Sequence, residues 1–104
     1  CAAAQRPVER GTASWYGAAH HGRRTASGEP FDMNGLTAAH RTLPFGTRIR
    51  VTHEGNGRSV ELTVTDRGPF IAGRFLDVSR RAARDLAFEQ DGVATVRLAV
   101  IGPC

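Results

Sequence analysis

The chain has 104 residues, of which 40% are hydrophobic and 23% are charged, and 14 basic against 10 acidic residues give a formal net charge of +4. This length and composition predict a single globular domain with one core. No apolar run approaches the ~20 residues of a membrane-spanning helix. No export signal is recognisable either, so an exported protein would have this sequence after its signal had been removed.

All of the basic residues are arginines, and lysine is absent. Biased codon usage in a GC-rich genome would explain this, but the physical consequence is the same. Guanidinium groups stay charged and form a planar fork that suits carboxylates and phosphates. A moderately basic surface favours an anionic partner without specifying which one. Because the sequence contains no nucleic-acid-binding motif, we expect no nucleic-acid partner.

The two cysteines, Cys1 and Cys104, stand at the two ends of the sequence. They could form a disulfide that closes the whole domain, worth about 4–5 kcal/mol for a loop of ~100 residues in the chain-entropy model. Alternatively, Cys1 could be the acylated first residue of a lipoprotein, which would provide a lipid anchor. Both interpretations predict a location outside the cytoplasm.

The first third of the chain contains little regular structure. Residues 1–10 lack periodicity and are interpreted as a lead-in to a domain at 11–104. A first strand is predicted over Gly11–Tyr16, where β-forming residues are frequent. Residues 18–34 are typical of a loop, Leu36–His40 of a short buried segment, and the Pro and Gly that follow it predict a turn over 43–46.

The clearest local signal is a hairpin. Residues 48–53 and 58–65 both alternate between apolar and polar side chains, and the Asn-Gly pair at 56–57 between them is a strong turn signal. In the second strand Val60, Leu62 and Val64 share one face, and a period of two carries that face on to Asp66. The pattern therefore predicts that Asp66 points inward, in register with three aliphatic core residues.

The last third predicts two more strands and a helix. Residues 75–78 form a short strand, Ser79 is a good N-cap, and the helix runs from Arg80 to about Phe88 with an apolar face. A closing strand is predicted over Val93–Ile101. Several short strands with one short helix indicate an all-β fold, a small closed barrel.

Four segments together carry a resemblance to a known family: GTASWYG (11–17), GRRTASGEPFDMNGLTAAHRTLPFGTRIRV (22–51), NGRSVELTVTDRGPF (56–70) and LDVSRRAA (76–83). In this order and spacing they resemble the rare lipoprotein A family of double-psi β-barrels, relatives of expansins and family-45 glycosidases. The similarity extends from about Gly11 to Ile101. It implies a six-stranded barrel with a shallow groove for a glycan strand.

The resemblance also implies lytic transglycosylase activity on naked peptidoglycan strands, and a location in the periplasm or at the outer membrane. Longer members of the family carry a separate C-terminal peptidoglycan-binding domain, to which nothing in this sequence corresponds. Such an enzyme breaks the β-1,4 bond between N-acetylmuramic acid and N-acetylglucosamine without water. One group protonates the leaving oxygen, and a base then takes the proton of the sugar's own C6 hydroxyl, which closes a 1,6-anhydro ring.

A single carboxyl group can perform both proton transfers, provided that it is protonated at the start. Asp66 is the first choice, because an inward orientation would desolvate it and desolvation disfavours the charged form. The acid of the DRGP motif also corresponds to the family's catalytic aspartate. Without the resemblance, Asp66 could equally be a turn residue before Gly-Pro.

The resemblance implies further site residues. Glu29 is assigned to catalysis as a second carboxylate, and Asp32 to substrate binding. His40 is expected to orient Asp66 or a sugar hydroxyl. Tyr16 is expected in the groove wall because its ring has a polar tip.

Three further side chains were considered for substrate contact. Arg67 and Arg23 are expected to bind the lactyl carboxylates that naked strands expose. Phe70 could stack on a sugar, but core packing is the preferred interpretation of this residue.

No Cys/His cluster has metal-ligand spacing, so we expect neither a metal nor another cofactor. The expected partner is the glycan strand, and the expected state is a monomer. Two other functions stay open. An expansin-like module would bind cell-wall polysaccharide without cutting it, and a glycosidase would use water if a second carboxylate could activate one.

Overall fold

The computed structural model describes residues 9–16 and 20–102. It has six strands and one short helix: β1 (Glu9–Tyr16), β2 (Thr37–His40), β3 (Arg48–His53), β4 (Ser59–Asp66), β5 (Arg74–Ser79), α1 (Arg80–Asp85) and β6 (Val93–Gly102). Each strand overlaps a predicted segment, and β1 begins two residues before its predicted start. The predictions made for Cys1 and Cys104 lie outside the described residues.

The strands close into one barrel in the order β1-β5-β2-β4-β3-β6. The pairs β1/β5 and β2/β4 are parallel, whereas the other four pairs are antiparallel. Closure leaves no unpaired sheet edge. The predicted all-β barrel with one short helix is confirmed. In the part of the chain that the structure describes, no helix has the length and apolar character needed to cross a membrane.

The interior of the barrel is filled by the alternate residues of its strands. Ile49 and Val51 from β3 meet Leu62 and Val64 from β4, and β6 contributes three more aliphatic side chains. Phe88, which follows the helix, is the largest side chain that is fully buried. The apolar alternation of the sequence therefore predicted the core-facing side of these strands.

The predicted hairpin joins β3 to β4. The backbone N–H of His53 donates to the carbonyl of Arg58 at 2.8 Å, and the N–H of Gly57 donates back to the carbonyl of His53 at 2.8 Å. Gly57 has a φ of 75°. A residue with a Cβ would be strained in this conformation, which explains the glycine of the Asn-Gly pair.

The helix is shorter than predicted. Ser79 is its N-cap, as predicted, and its hydroxyl accepts from the N–H of Ala82. The helix ends at Asp85 instead of near Phe88 because Ala87 adopts a φ of 63°, in the left-handed region. This turn redirects the chain, so that Phe88 is fully buried in the core.

A bulge at the end of β4 changes the orientation of Asp66. Val64 pairs with Ala38, but the next register partner on β2, Ala39, pairs with Asp66, so Thr65 is skipped. Ala38 belongs to the core and Ala39 lies on the opposite face, where it lines a surface cleft with Asp66. The predicted inward orientation of Asp66 is therefore wrong. A bulge inserts one residue and re-aims the side chains beyond it.

Candidate active site

A cleft of about 260 Å³ lies on the outside of the barrel, across strands β1, β5, β2 and β4. Its lining residues are Tyr16, His20, Ala39, Asp66, Arg67 and Asp77. Ala39 forms the floor, because it pairs with Asp66 on one side and with Asp77 on the other. The small side chain leaves room between two carboxyl groups.

Asp66 stands at the end of β4 and is half-buried. Its Oδ1 accepts from the backbone N–H of Ala26 at 2.9 Å and from its neighbour Arg67 at 2.8 Å. Among the described residues, Oδ2 has no hydrogen-bond partner and the carboxyl group forms no ion pair. One oxygen is thus held by the backbone, and the other is free to act on a ligand.

Asp77 is a second carboxyl group in the cleft, and the sequence analysis missed it. It lies two strands away from Asp66, about 10 Å between Cα atoms at the usual strand spacing. Its Oδ1 accepts a hydrogen bond from the hydroxyl of Ser14. One signal could have revealed it: Asp77 lies between Leu76 and Val78, so alternation places it on the outer face of an otherwise apolar strand.

Tyr16 projects between the two acids. Its ring stacks on Phe31 with centroids 4.2 Å apart and meets the edge of His20 at 5.5 Å. The hydroxyl oxygen is buried and has no hydrogen-bond partner among the described residues. Burial is the main cause that raises the pKa of Tyr16, and the charges of Asp66 and Asp77 raise it further. The phenol therefore remains a hydrogen-bond donor without an acceptor.

Arg67 lines the same cleft and is held by carbonyls. Its Nη1 donates to the carbonyl of Leu43 at 2.7 Å and to that of His40 at 3.2 Å. Its guanidinium carbon lies 4.1 Å from the centroid of the Phe45 ring. Among residues 9–16 and 20–102 no carboxylate pairs with it. The guanidinium is therefore oriented by neutral groups and keeps its full positive charge for a ligand.

His40 occupies a structural position. Its Nδ1 accepts from the backbone N–H groups of Thr42 at 3.2 Å and Leu43 at 3.1 Å, and its Nε2 lies 3.3 Å from a carboxylate oxygen of Glu9. Both ring nitrogens are thus engaged away from Asp66. His40 was expected to orient Asp66 or a sugar hydroxyl, and among the described residues its ring makes no hydrogen bond to Asp66. The ring instead holds the turn whose carbonyls hold Arg67.

Glu29 lies outside the main cleft. It lines a second concavity of about 300 Å³, together with Phe45, Thr63 and Thr65 among others. The turn from Thr25 to Gly28, whose Ala26 holds Asp66, separates the two concavities. The structure thus brings Glu29 near the same strand end but does not place it beside Asp66.

Two other predicted site residues do not line the cleft. Asp32 is exposed, and its Oδ1 accepts from the backbone N–H of Asn34 at 2.9 Å, which makes it a turn residue. Arg23 is exposed in the loop that precedes it, and its backbone bonds to His20 and Phe31. Neither residue lines the cleft that holds Asp66.

The aromatic residues divide differently from the prediction. Trp15 packs against the core, and its indole N–H donates to the carbonyl of Glu89 at 3.1 Å. Phe70 was expected to pack in the core as well, but its side chain is 82% exposed. The reason is its place at the tip of the loop between β4 and β5.

Within the described ranges, no group of three or more His, Cys, Asp or Glu residues could hold a metal ion.

The closed barrel with two parallel strand pairs, together with the acidic cleft on its outer face, defines a double-psi β-barrel protein with a carboxylate site. A protein-family model described as "Lytic transglycolase" matches residues 8–98. The chain belongs to this family of lytic transglycosylase double-psi barrels, and the resemblance to rare lipoprotein A is confirmed.

Curated relatives agree with this assignment. "Probable endolytic peptidoglycan transglycosylase RlpA" of Synechocystis sp. is 53% identical over 100 residues, which cover 96% of this chain and 31% of that protein. "Endolytic peptidoglycan transglycosylase RlpA" of Neisseria meningitidis serogroup A is 50% identical over 96 residues, 92% of this chain and 40% of that protein. The chain thus spans well under half the length of these two relatives.

A solved structure of an expansin from Clavibacter michiganensis has a similar fold. It superimposes with a TM-score of 0.73 at 22% identity, covering 94% of this chain and 52% of the expansin. At this level of identity the likeness concerns the fold alone.

Proposed function

We propose that this domain is an endolytic peptidoglycan lytic transglycosylase that cleaves the β-1,4 bond after N-acetylmuramic acid in naked glycan strands and leaves 1,6-anhydro ends. One observation carries the proposal. Asp66 lies in a surface cleft with one carboxyl oxygen held by two backbone N–H groups and the other without a partner in the described part of the chain. The names of the curated relatives, which describe endolytic peptidoglycan transglycosylases, support the same reaction.

In this reaction Asp66 acts first as an acid. Its free Oδ2 gives a proton to the glycosidic oxygen as the C1–O bond breaks, and the leaving sugar departs with a new hydroxyl group. The resulting carboxylate then takes the proton of the C6 hydroxyl of the muramic acid, whose oxygen attacks C1. The proton balance closes without water, and the two hydrogen bonds to Oδ1 keep the group in place through both steps.

Tyr16 and Arg67 serve the substrate in this proposal. The aromatic ring of Tyr16 lines the cleft beside Asp66, where it would contact a sugar, whereas its hydroxyl oxygen is buried from solvent. Arg67 has no carboxylate partner among the described residues, and a lactyl carboxylate of a peptide-free muramic acid fits a guanidinium fork. A strand without peptides carries one such carboxylate on every muramic acid, which links the positive charge of Arg67 to the preference for naked strands.

Asp77 favours a second candidate, a glycosidase that uses water. Most glycoside hydrolases use two carboxyl groups in one cleft as catalytic residues. One acts as the acid and the other as the base or the nucleophile. Asp77 lies across Ala39 from Asp66 and is oriented by Ser14. The two reactions differ in their products, because hydrolysis leaves reducing ends and transglycosylation leaves anhydro ends.

The test is an incubation of the protein with peptide-stripped glycan strands, with mass spectrometry of the products. Anhydromuramyl ends that disappear in Asp66→Asn are the expected result. Asp91→Asn is the matched control, because this exposed carboxylate lines a different concavity, together with Arg84 and Glu89. Reducing ends that disappear in Asp77→Asn would identify the hydrolase. Binding without any cleavage would instead identify an expansin-like module.

The substrate and the cysteine chemistry agree on a location outside the cytoplasm, in the periplasm or at the outer membrane. The partner in this proposal is the glycan strand itself, taken up by a monomer. Membrane fractionation with and without Cys1→Ala would test for a lipid anchor. A protein that stays soluble in both cases and is sensitive to reductants would favour the disulfide between Cys1 and Cys104.

A further inference from the structure

We propose that Phe70 is a sugar-stacking platform that extends the cleft, and that Arg41 is the residue that positions it. The ligand is a pyranose ring of the same glycan strand that passes Asp66. The inference thus rests on glycan binding in the proposed function, but it does not depend on whether the strand is cut.

The position of Phe70 is unusual for an aromatic residue. Its side chain is 82% exposed, and Ile71 beside it is 56% exposed. Large apolar side chains that stay exposed side by side mark interaction sites more often than isolated ones do. Because Phe70 contributes little to the core, the stability of the barrel does not account for it.

Phe70 is also close to the cleft. Its ring lies against Gly68, where a Cβ would be 3.6 Å from the ring carbon Cε2. Gly68 follows Arg67, which lines the cleft, and it has a φ of 127° that favours glycine. Phe70 thus lies in the loop that begins at the edge of the cleft, where a strand that leaves the cleft along Arg67 would meet it.

The loop that presents Phe70 is held rigidly by one side chain. Arg41 donates through Nε to the carbonyl of Pro69 at 2.7 Å, and through Nη2 to the carbonyls of Ile71 at 3.1 Å and Arg74 at 2.6 Å. These three hydrogen bonds fix the backbone before and after Phe70. An exposed ring on a braced loop is preorganised, so it loses little conformational entropy when a ligand covers it.

A sugar ring is the partner that this arrangement fits. The face of a pyranose presents C–H groups, which pack on an aromatic face, while its edge hydroxyls stay in water. An isolated ring of this size gives a flat apolar surface without polar groups. The neighbouring cationic Arg67 would bind the carboxylate of the adjacent muramic acid. Phe70 and Arg67 would then bind a sugar face and a carboxylate of the same strand.

The experiment measures binding of peptide-stripped glycan strands in the Asp66→Asn background, where no cleavage by this group disturbs the equilibrium. Phe70→Ala should raise the dissociation constant about tenfold, from the loss of part of one apolar face. Phe70→Trp should keep the affinity. The free energy of unfolding should change little in either variant, because the ring is largely exposed. Val93→Ala, a substitution of a 41% exposed residue on β6, is the matched control.

Arg41→Lys tests the positioning role. Lysine keeps the charge but cannot reach three carbonyls with a planar fork. Binding should weaken in the presence of Phe70, and the same substitution should have little further effect once Phe70 is replaced by Ala. Such non-additivity is the signature of a residue that acts through another. A merely structural role of Arg41 would give the same loss in both backgrounds.

The outcomes separate this inference from the proposed reaction. Equal binding by Phe70→Ala and its parent would overturn the platform, whatever products the wild-type protein forms. Weaker binding by Phe70→Ala would support it even if the wild-type protein made no anhydro ends. A dimer in sedimentation that is lost in Phe70→Ala, with glycan binding unchanged, would overturn it in favour of contact between two copies of the chain.

Discussion

Replacement of Tyr16 by Phe removes one buried oxygen atom and should affect stability more than function. The hydroxyl is buried and has no partner among the described residues. An unsatisfied buried polar group costs roughly 1–3 kcal/mol, so Tyr16→Phe should leave the protein as stable as before or more stable by about 1 kcal/mol. Glycan binding and cleavage should change little, because the ring remains in the cleft wall and the lost oxygen is buried from solvent.

The same hydroxyl predicts how stability depends on pH. Burial, followed by the charges of Asp66 and Asp77, raises the pKa of Tyr16 above its ordinary value of about 10. Above that pH the unfolded chain loses the phenolic proton while the folded protein keeps it. The folded state then binds more protons than the unfolded state, so stability falls as pH rises. The slope approaches about 1.4 kcal/mol per pH unit.

The composition makes this measurement clean. The chain has one tyrosine and no lysine, so no other side chain with an ordinary pKa near 10 interferes. Urea unfolding at several values between about pH 9 and 11 gives the slope, and near-ultraviolet absorbance follows the phenolate directly. Wild type should lose stability in this range, whereas Tyr16→Phe should not. Equal slopes for the two proteins, or a phenol that titrates normally in the folded state, would refute the argument.

Two further predictions concern the residues around Arg67. His40→Ala should destabilise the fold by about 1–3 kcal/mol, because the buried N–H of Leu43 loses its acceptor, whereas Glu9→Gln should change stability by less than about 0.5 kcal/mol. Chemical denaturation checks both predictions. If His40→Ala lost cleavage without losing stability, His40 would instead act directly on the substrate or on Asp66. Arg67→Ala should weaken binding of peptide-stripped strands about tenfold at low salt and remove most of the salt dependence. Titrations at two ionic strengths, with Arg67→Lys as the control that keeps the charge, measure this effect, and unchanged salt dependence would contradict it.

The site was only partly predictable from the sequence. Asp66, Tyr16 and Arg67 were predicted and lie together in the cleft. Asp77 was missed because alternation places it on the outer face of its strand but does not distinguish it from any other exposed acid. Asp77 becomes a site residue only through strand pairing. The parallel pairing places β5 beside β1, and β2, on the other side of β5, separates Asp77 from Asp66.

His40 shows what a motif leaves open. The family motif that contains it led to the expectation that it orients Asp66 or a sugar hydroxyl. The structure instead uses both ring nitrogens for hydrogen bonds and for the contact with Glu9. Orientation of a side chain depends on which partners the fold brings within reach, and sequence spacing does not specify them.

Local patterns by themselves determined the strands, the hairpin turn and the N-cap of the helix, because alternation, glycine and capping preferences act over a few residues. The tertiary structure decided the two parallel pairings, since they join segments that are distant along the chain. It also decided the bulge opposite Ala38 and Ala39, which turns Asp66 from the core to the cleft. A period of two cannot reveal an inserted residue, because the insertion is set by the neighbouring strand.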